Sequence, residues 1–364
     1  MLAAAASNLS TFSVDVDTAS WSRAEQSLLR GRFPDQVRVE EFINAFDYDY
    51  DPPQDGLAFA VHAIAAPSPW SDDTHLLRIG LQARDIEDES RKAAHLTFLV
   101  DTSGSMRGRD KIGLVRASLH TLVGHLGPDD TVALVTYSGN SRLVLEPTSA
   151  RHASTIHQAI DALSSGGGTG MADGIYTAYR LASDSYVGGD INRVILASDG
   201  DANIGPSDPA GITPAIQKYA DTGITLTTLG FGHQGYNDHM MERLANDGDG
   251  AYFHIATPEA ADRVLGSGLT STLQVVARDV KIQVAFDPDA VESFRLVGYD
   301  NRRLADKDFA NDAVDAGEVG AGHQVTALYE VKLLDSNVPI GEVRLRYKQP
   351  GPESPSQQVV AVMD

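Results

Sequence analysis

No cysteine occurs among the 364 residues, which excludes disulfides, thiol catalysis and thiolate-ligated zinc. No apolar run approaches the roughly 20 residues that a membrane-spanning helix needs. The opening "MLAAAASNLS" has neither the basic stretch nor the long apolar core of a secretory signal, so it reads as a ragged start. Basic residues are scarce too: 29 Lys and Arg face 50 Asp and Glu, a net charge of −21. Such a surface repels a nucleic-acid backbone and suits cations. What is present is ordinary for a water-exposed globular chain, with 42% apolar and 22% charged residues. The length is sufficient for two or three domains.

Hydrophobic patterning divides the chain into three regions, 10–91, 92–274 and 275–364. In the first, "DTASWSRAEQSLLRGRFP" and "DQVRVEEFINAFDYDY" read as short amphipathic helices, and "LAFAVHAIAA" and "THLLRIGLQAR" as strands. In the second, apolar runs such as "LTFLV", "TVALVTY", "NRVILAS" and "ITLTTLG" alternate with amphipathic segments such as "KIGLVRASLHTLVGHL". Continuous apolar strands between helices predict a doubly wound α/β fold with a mostly parallel sheet covered on both faces. In the third, "DVKIQVAFDP", "ESFRLVGYD", "HQVTALYEVKLL" and "GEVRLRYKQ" predict strands joined by turns. Strands from the first and third regions are expected to join in one β-sandwich, with the α/β domain inserted between them.

Three loops fall on one rim of the predicted parallel sheet: "DTSGSM" from Asp101, "SSGGGTGMADG" at 164–174, and "ASDGDANIG" around Asp199. Ligands of such sheets bind at the carboxyl ends of the strands. Nucleophilic catalysis fits poorly, because Ser103 and Ser105 sit in no Gly-x-Ser-x-Gly elbow and His233 and His239 are the only histidines nearby. "VDTSGS" is close to an aspartic-protease loop but stands in an α/β context. "GGGTG" lacks the Lys-Ser/Thr of a phosphate loop, and "GFGHQG" (Gly230, Gly232, Gly235) lacks an acid at the tip of the next strand. "DGDANIG" departs from an EF-hand at Ile204 and Ala210, which leaves Asp201 and Asn203 as rim residues. A hard cation accounts for the three loops together. Asp101 and Asp199 supply carboxylates, and Ser103, Ser105 and Thr169 supply hydroxyls, an all-oxygen set suited to Mg²⁺, Mn²⁺ or Ca²⁺.

These residues resemble the Asp-x-Ser-x-Ser…Thr…Asp metal-ion-dependent adhesion site of von Willebrand factor type A domains. "STFSVDVDTAS", "RVEEFINAFDYDY", "NRVILASDGDANIG", "LGFGHQGYND" and "DAGEVGAGHQVTALYE" further resemble the bacterial YfbK-like branch. The resemblance implies that Ser103, Ser105 and Thr169 contact the ion through hydroxyls, with Asp101 and Asp199 close by, directly or through water. Gly168 stands where that branch is expected to carry a serine before the threonine, and Asp173 lies near the rim.

The function expected is a non-enzymatic, metal-dependent protein-binding module whose ion takes an acidic side chain of a partner. The alternative is a hydrolase using the same ion to activate water. A further reading assigns the interaction to the β-rich regions instead. No nucleic acid and no small-molecule cofactor is expected. The branch implies an extracytoplasmic location with a membrane tether outside this stretch, the cytoplasm being the alternative.

Overall fold

The computed structural model describes the whole chain except residues 15–18, 35–36, 55, 169, 201–208, 233–237, 315, 336–337, 352–353 and 364, and the side chains of 19, 26, 89, 209–211 and 238. Two compact units are present. One comprises residues 25–32 and 87–274, the other 1–24, 33–86 and 275–364.

The first unit is the α/β domain. Its elements in chain order are β1 (Ala94–Asp101), α1 (Ile112–His125), β2 (Thr131–Tyr137), β3 (Ser141–Ser149), α2 (Ala153–Asp161), α3 (Met171–Asp184) and β4 (Ile191–Ser198). There follow α4 (Pro209–Asp221), β5 (Ile224–Phe231), α5 (Asp238–Asp247), β6 (Tyr252–Ile255), α6 (Pro258–Leu265) and α7 (Leu269–Leu273). The sheet order is β6-β5-β4-β1-β2-β3, parallel throughout except for the antiparallel edge strand β3. The central strands are apolar on both faces because helices cover both. Leu96, Phe98, Leu99, Val100, Val194, Ile195 and Leu196 are all at most 1% exposed. Strand order reverses at β1, since β2 lies on one side of it and β4 on the other. That reversal opens a crevice at the carboxyl ends of β1 and β4, where Asp101 and Asp199 stand.

The second unit holds two antiparallel sheets. One runs Leu2–Ala3, Val291–Val297, Gln324–Leu333, His75–Ala83, Phe59–Pro67. The other runs Gly317–Gly320, Val275–Phe286, Gly341–Lys348, Ser356–Met363, with Leu9–Ser13 also paired to Val275–Phe286. Phe12, Leu77, Ile79, Tyr329 and Val343 from the two sheets belong to one core. Within it Phe286 stacks on Phe294 across the sheets, with centroids 4.2 Å apart.

Three local expectations differ from the structure. The start of the chain is paired rather than ragged: Leu2 lies opposite Phe294, and Leu9 opposite Ala285. The helix expected in "DQVRVEEFINAFDYDY" is only Val39–Ile43. It stops because Asn44 turns its amide to the neighbouring sheet, accepting from Thr326 N–H at 2.7 Å and donating to the Tyr299 hydroxyl at 2.9 Å. The strand Gly317–Gly320 and helix α7 were not visible in the periodicity, being four and five residues long. Among the described residues no helix is long and apolar enough to cross a membrane.

His323, in the turn before Gln324–Leu333, has an enclosed Nδ1 without a hydrogen-bond partner, and burial pushes its pKa down to about 4. The unfolded chain therefore takes up a proton between about pH 6.5 and 4 that the folded chain refuses. Stability is fully present above the upper value and falls as the pH drops through the window. Allowing for the residue's partial exposure, the loss is about 2 kcal/mol. Urea denaturation at pH 7 and pH 4.5 is expected to show a smaller pH dependence for His323→Gln than for the wild type.

Candidate metal centre

The site begins with the last residue of β1. Asp101 ends a strand that is buried on both faces, and it is itself 0% exposed. Parallel pairing sets it opposite Tyr137, the last residue of β2. One carboxylate oxygen, Oδ1, accepts the Ser103 backbone N–H at 2.8 Å, closing a tight turn. The other, Oδ2, accepts the Tyr137 hydroxyl and the Ser198 hydroxyl, each at 3.0 Å. A carboxylate has about four acceptor positions, so three are occupied from the protein side and the orientation is set. Burial raises the Asp101 pKa despite these bonds, and nearby Asp199 raises it further. Burial also raises the Tyr137 pKa well above its ordinary value, which keeps that hydroxyl a donor.

Beyond Asp101 the chain makes a short 3₁₀ turn, Gly104–Met106, anchored by the fully buried Met106. Thr102 ties the turn to β2 by donating from N–H and Oγ1 to the Tyr137 carbonyl at 2.8 and 3.0 Å. The glycine-rich loop is hydrogen-bonded directly to it. Gly166 N–H donates to the Thr102 carbonyl at 2.7 Å, and Gly104 N–H to the Gly167 carbonyl at 3.2 Å. Gly167 has φ +100°, a conformation that excludes most side chains. Thr169 lies outside the described residues, as do Asp201, Asn203 and His233. Asp173 is in the first turn of α3, and His239 is exposed on α5.

The first and third loops meet through a run of oxygens. Ser103 Oγ is 2.8 Å from Ser105 Oγ, and Ser105 Oγ donates to Asp199 Oδ1 at 3.3 Å. Asp199 is 1% exposed, and its Oδ2 accepts the Lys111 ammonium at 2.8 Å. The structure thus brings together four of the five expected ligands. Neighbouring ligands of an octahedral ion with bonds of about 2.1 Å lie about 3.0 Å apart. The separations of 2.8 and 3.3 Å are hydrogen bonds, and they put these oxygens close enough for one small ion to take their place between them. Among the described residues no group of three His, Cys, Asp or Glu side chains is placed to hold a metal. The hydroxyl and carboxylate oxygens that meet here are hard donors, of the kind that Mg²⁺, Mn²⁺ and Ca²⁺ take.

Tyr137, Ser198 and Lys111 were missed by sequence reading. Ser198 directly precedes Asp199, but Tyr137 and Lys111 join the site only through strand register and a long side-chain reach. Beside the rim lies a cleft of about 500 Å³ lined mainly by small residues, with Ser138, Asn140 and Arg142 at its hairpin side.

Comparison with known proteins agrees with this architecture. Residues 95–266 match the von Willebrand factor type A domain family, 271–363 the family described as "Uncharacterized protein YfbK, C-terminal", and 1–78 one described as "von Willebrand factor". YfbK of Escherichia coli K12 is 40% identical over 345 residues, which are 92% of this chain and 60% of that one. Human inter-alpha-trypsin inhibitor heavy chain H4 is 29% identical, over 56% of this chain and 23% of its own length. A von Willebrand factor type A structure from Catenulispora acidiphila superposes with a TM-score of 0.52 at 17% identity, covering 87% of this chain and 74% of that one. Type A domains typically serve protein interaction. The chain thus carries a von Willebrand factor type A domain at its centre and a region matching the YfbK C-terminal family after it, and over nearly its whole length it is similar to YfbK.

Proposed function

We propose that the chain is a protein-binding module that holds Mg²⁺ or Mn²⁺ at the rim through Ser103, Ser105, Asp199, Asp101 and Thr169, and presents it to a partner's carboxylate. The observation that carries this reading is the convergence of the Ser103, Ser105 and Asp199 oxygens, linked at 2.8 and 3.3 Å, beside a buried Asp101. When bound, the ion supplies Lewis acidity toward an oxygen from outside. The two serines are neutral donors, so they hold the ion without cancelling its charge. Asp101, fixed by Tyr137 and Ser198, orients the turn that carries them. The adjacent cleft gives room to the chain flanking the partner's acid, and Arg142 offers a charge to a second one. In this reading the module works outside the cytoplasm, with a membrane tether outside this stretch; the chain spans 60% of its E. coli relative.

Calorimetric titration with MnCl₂ tests the site: uptake of about one ion by the wild type and none by Asp199→Ala is expected, and equal uptake would remove the assignment. Selection of displayed peptides on the Mn²⁺-loaded protein tests the function. An acidic residue at one position, with elution by chelator, is expected. A chelator-insensitive peptide without such an acid would count against it, and metal-stimulated ester turnover lost in Asp199→Ala would favour the hydrolase.

A further inference from the structure

Lys111 has no role in the ligand set, yet its placement is elaborate. It is the residue before α1, and its side chain does not cap that helix. A cation at a helix N-terminus opposes the positive end of the helix dipole, so this position costs electrostatic free energy unless an anion compensates it. The side chain instead runs across the end of β5. A Cβ on Gly232 would come within 2.9 Å of Lys111 Cε and 3.2 Å of Cγ, and Gly232 has φ +98°. The positive φ favours glycine there, and a side chain would crowd the stem. The path delivers the ammonium to Asp199 Oδ2 at 2.8 Å, on the carboxylate whose other oxygen receives Ser105. The side chain is 18% exposed, so the pair is largely shielded from water.

We infer that Lys111 is a tethered monovalent cation that competes with the divalent ion and sets its affinity. This rests on the metal reading above. Among the described residues two buried carboxylates face the rim, and in the ion-free protein Lys111 cancels one of their two charges and keeps Asp199 in place beside Ser105. An arriving divalent ion meets a site already half neutralised, so it binds less tightly than two free carboxylates would hold it. The same ammonium, kept nearby once the ion is bound, leaves the group of ion, Lys111, Asp101 and Asp199 with net positive charge (+2 and +1 against two carboxylates). That charge favours an acidic partner. The lysine thus exchanges ion affinity for attraction toward an external carboxylate.

Mn²⁺ titration of the wild type, Lys111→Met and Lys111→Arg tests this. Lys111→Met is expected to bind Mn²⁺ about tenfold more tightly, and Lys111→Arg within about threefold of the wild type. In the same series the rise in Tm from chelator to saturating Mn²⁺ is expected to be larger for Lys111→Met than for the wild type. A lysine that only braced Asp199 would give the opposite sign, with Lys111→Met binding more weakly. Unchanged or weaker binding by that variant, with normal uptake by the wild type, would overturn this inference alone. Absence of uptake by wild type and variants would overturn it together with the metal reading.

Discussion

Asp101→Asn is expected to lower Mn²⁺ affinity on the order of 100-fold or more while leaving the ion-free protein as stable as the wild type, or more stable by about 1 kcal/mol. The two effects have one origin. Asp101 is buried beside a second carboxylate, and its pKa is raised, so its charged form is disfavoured by folding. The linkage has the corresponding sign: this group opposes folding at neutral pH, and the opposition is relieved as the pH falls and the carboxyl is protonated. An amide of the same shape removes the burden. Its oxygen still accepts the Ser103 N–H, and the Tyr137 and Ser198 hydroxyls can rotate to accept from its NH₂. The ion loses one of two anionic neighbours and gains nothing. Thermal unfolding in chelator and in Mn²⁺, run beside calorimetry, reads both effects. A variant that unfolds several degrees earlier in chelator would mean that Asp101 serves the fold, not the ion.

The opposite pole of β1 depends on a carboxylate of another kind. Asp130→Ala is expected to cost about 4 kcal/mol of unfolding free energy with no more than a twofold change in Mn²⁺ affinity. Asp130 is 2% exposed and accepts from the Ala94 N–H and the Gly127 N–H, each at 2.7 Å. It also takes both terminal nitrogens of Arg91, whose side chain is 7% exposed. Removing the carboxylate leaves one backbone donor unpaired at the start of the central strand, another in the turn before β2, and a buried guanidinium without its partner. Asp130→Asn keeps part of the donor set satisfied and is expected to cost less. Urea denaturation of the three proteins checks the order, and equal midpoints for wild type and Asp130→Ala would contradict it. Asp101 at the end of β1 and Asp130, which precedes β2 and holds the start of β1, are thus expected to separate, one governing ion binding and the other stability.

Much of this was readable from the chain alone. The runs "LTFLV" and "NRVILAS" are apolar without alternation, because a parallel strand between two helix layers has no wet face, and they became β1 and β4. Their ends carry Asp101 and Asp199, so two carboxylates on one rim were legible from local pattern plus one rule about where such sheets bind ligands. The hydroxyl turn was legible for the same reason, since Ser103 and Ser105 are fixed by short-range geometry. What the chain did not disclose depends on distant partners. Leu9–Ser13 is a strand because Val275–Phe286 supplies its hydrogen bonds, not because its five residues alternate. The helix after Arg38 ends early because Asn44 finds better partners in a strand from the far end of the chain. Tyr137 and Ser198 reach Asp101 only when β2 and β4 flank β1 in register. Lys111 reaches Asp199 only across a glycine at the end of β5. Sequence by itself determined most of the α/β elements and the oxygen donors proposed as ligands, since periodicity and donor chemistry are local. Tertiary structure decided which groups hold those ligands and which cation already neutralises one of them, because hydrogen bonds and ion pairs form between neighbours in space that register and packing bring together.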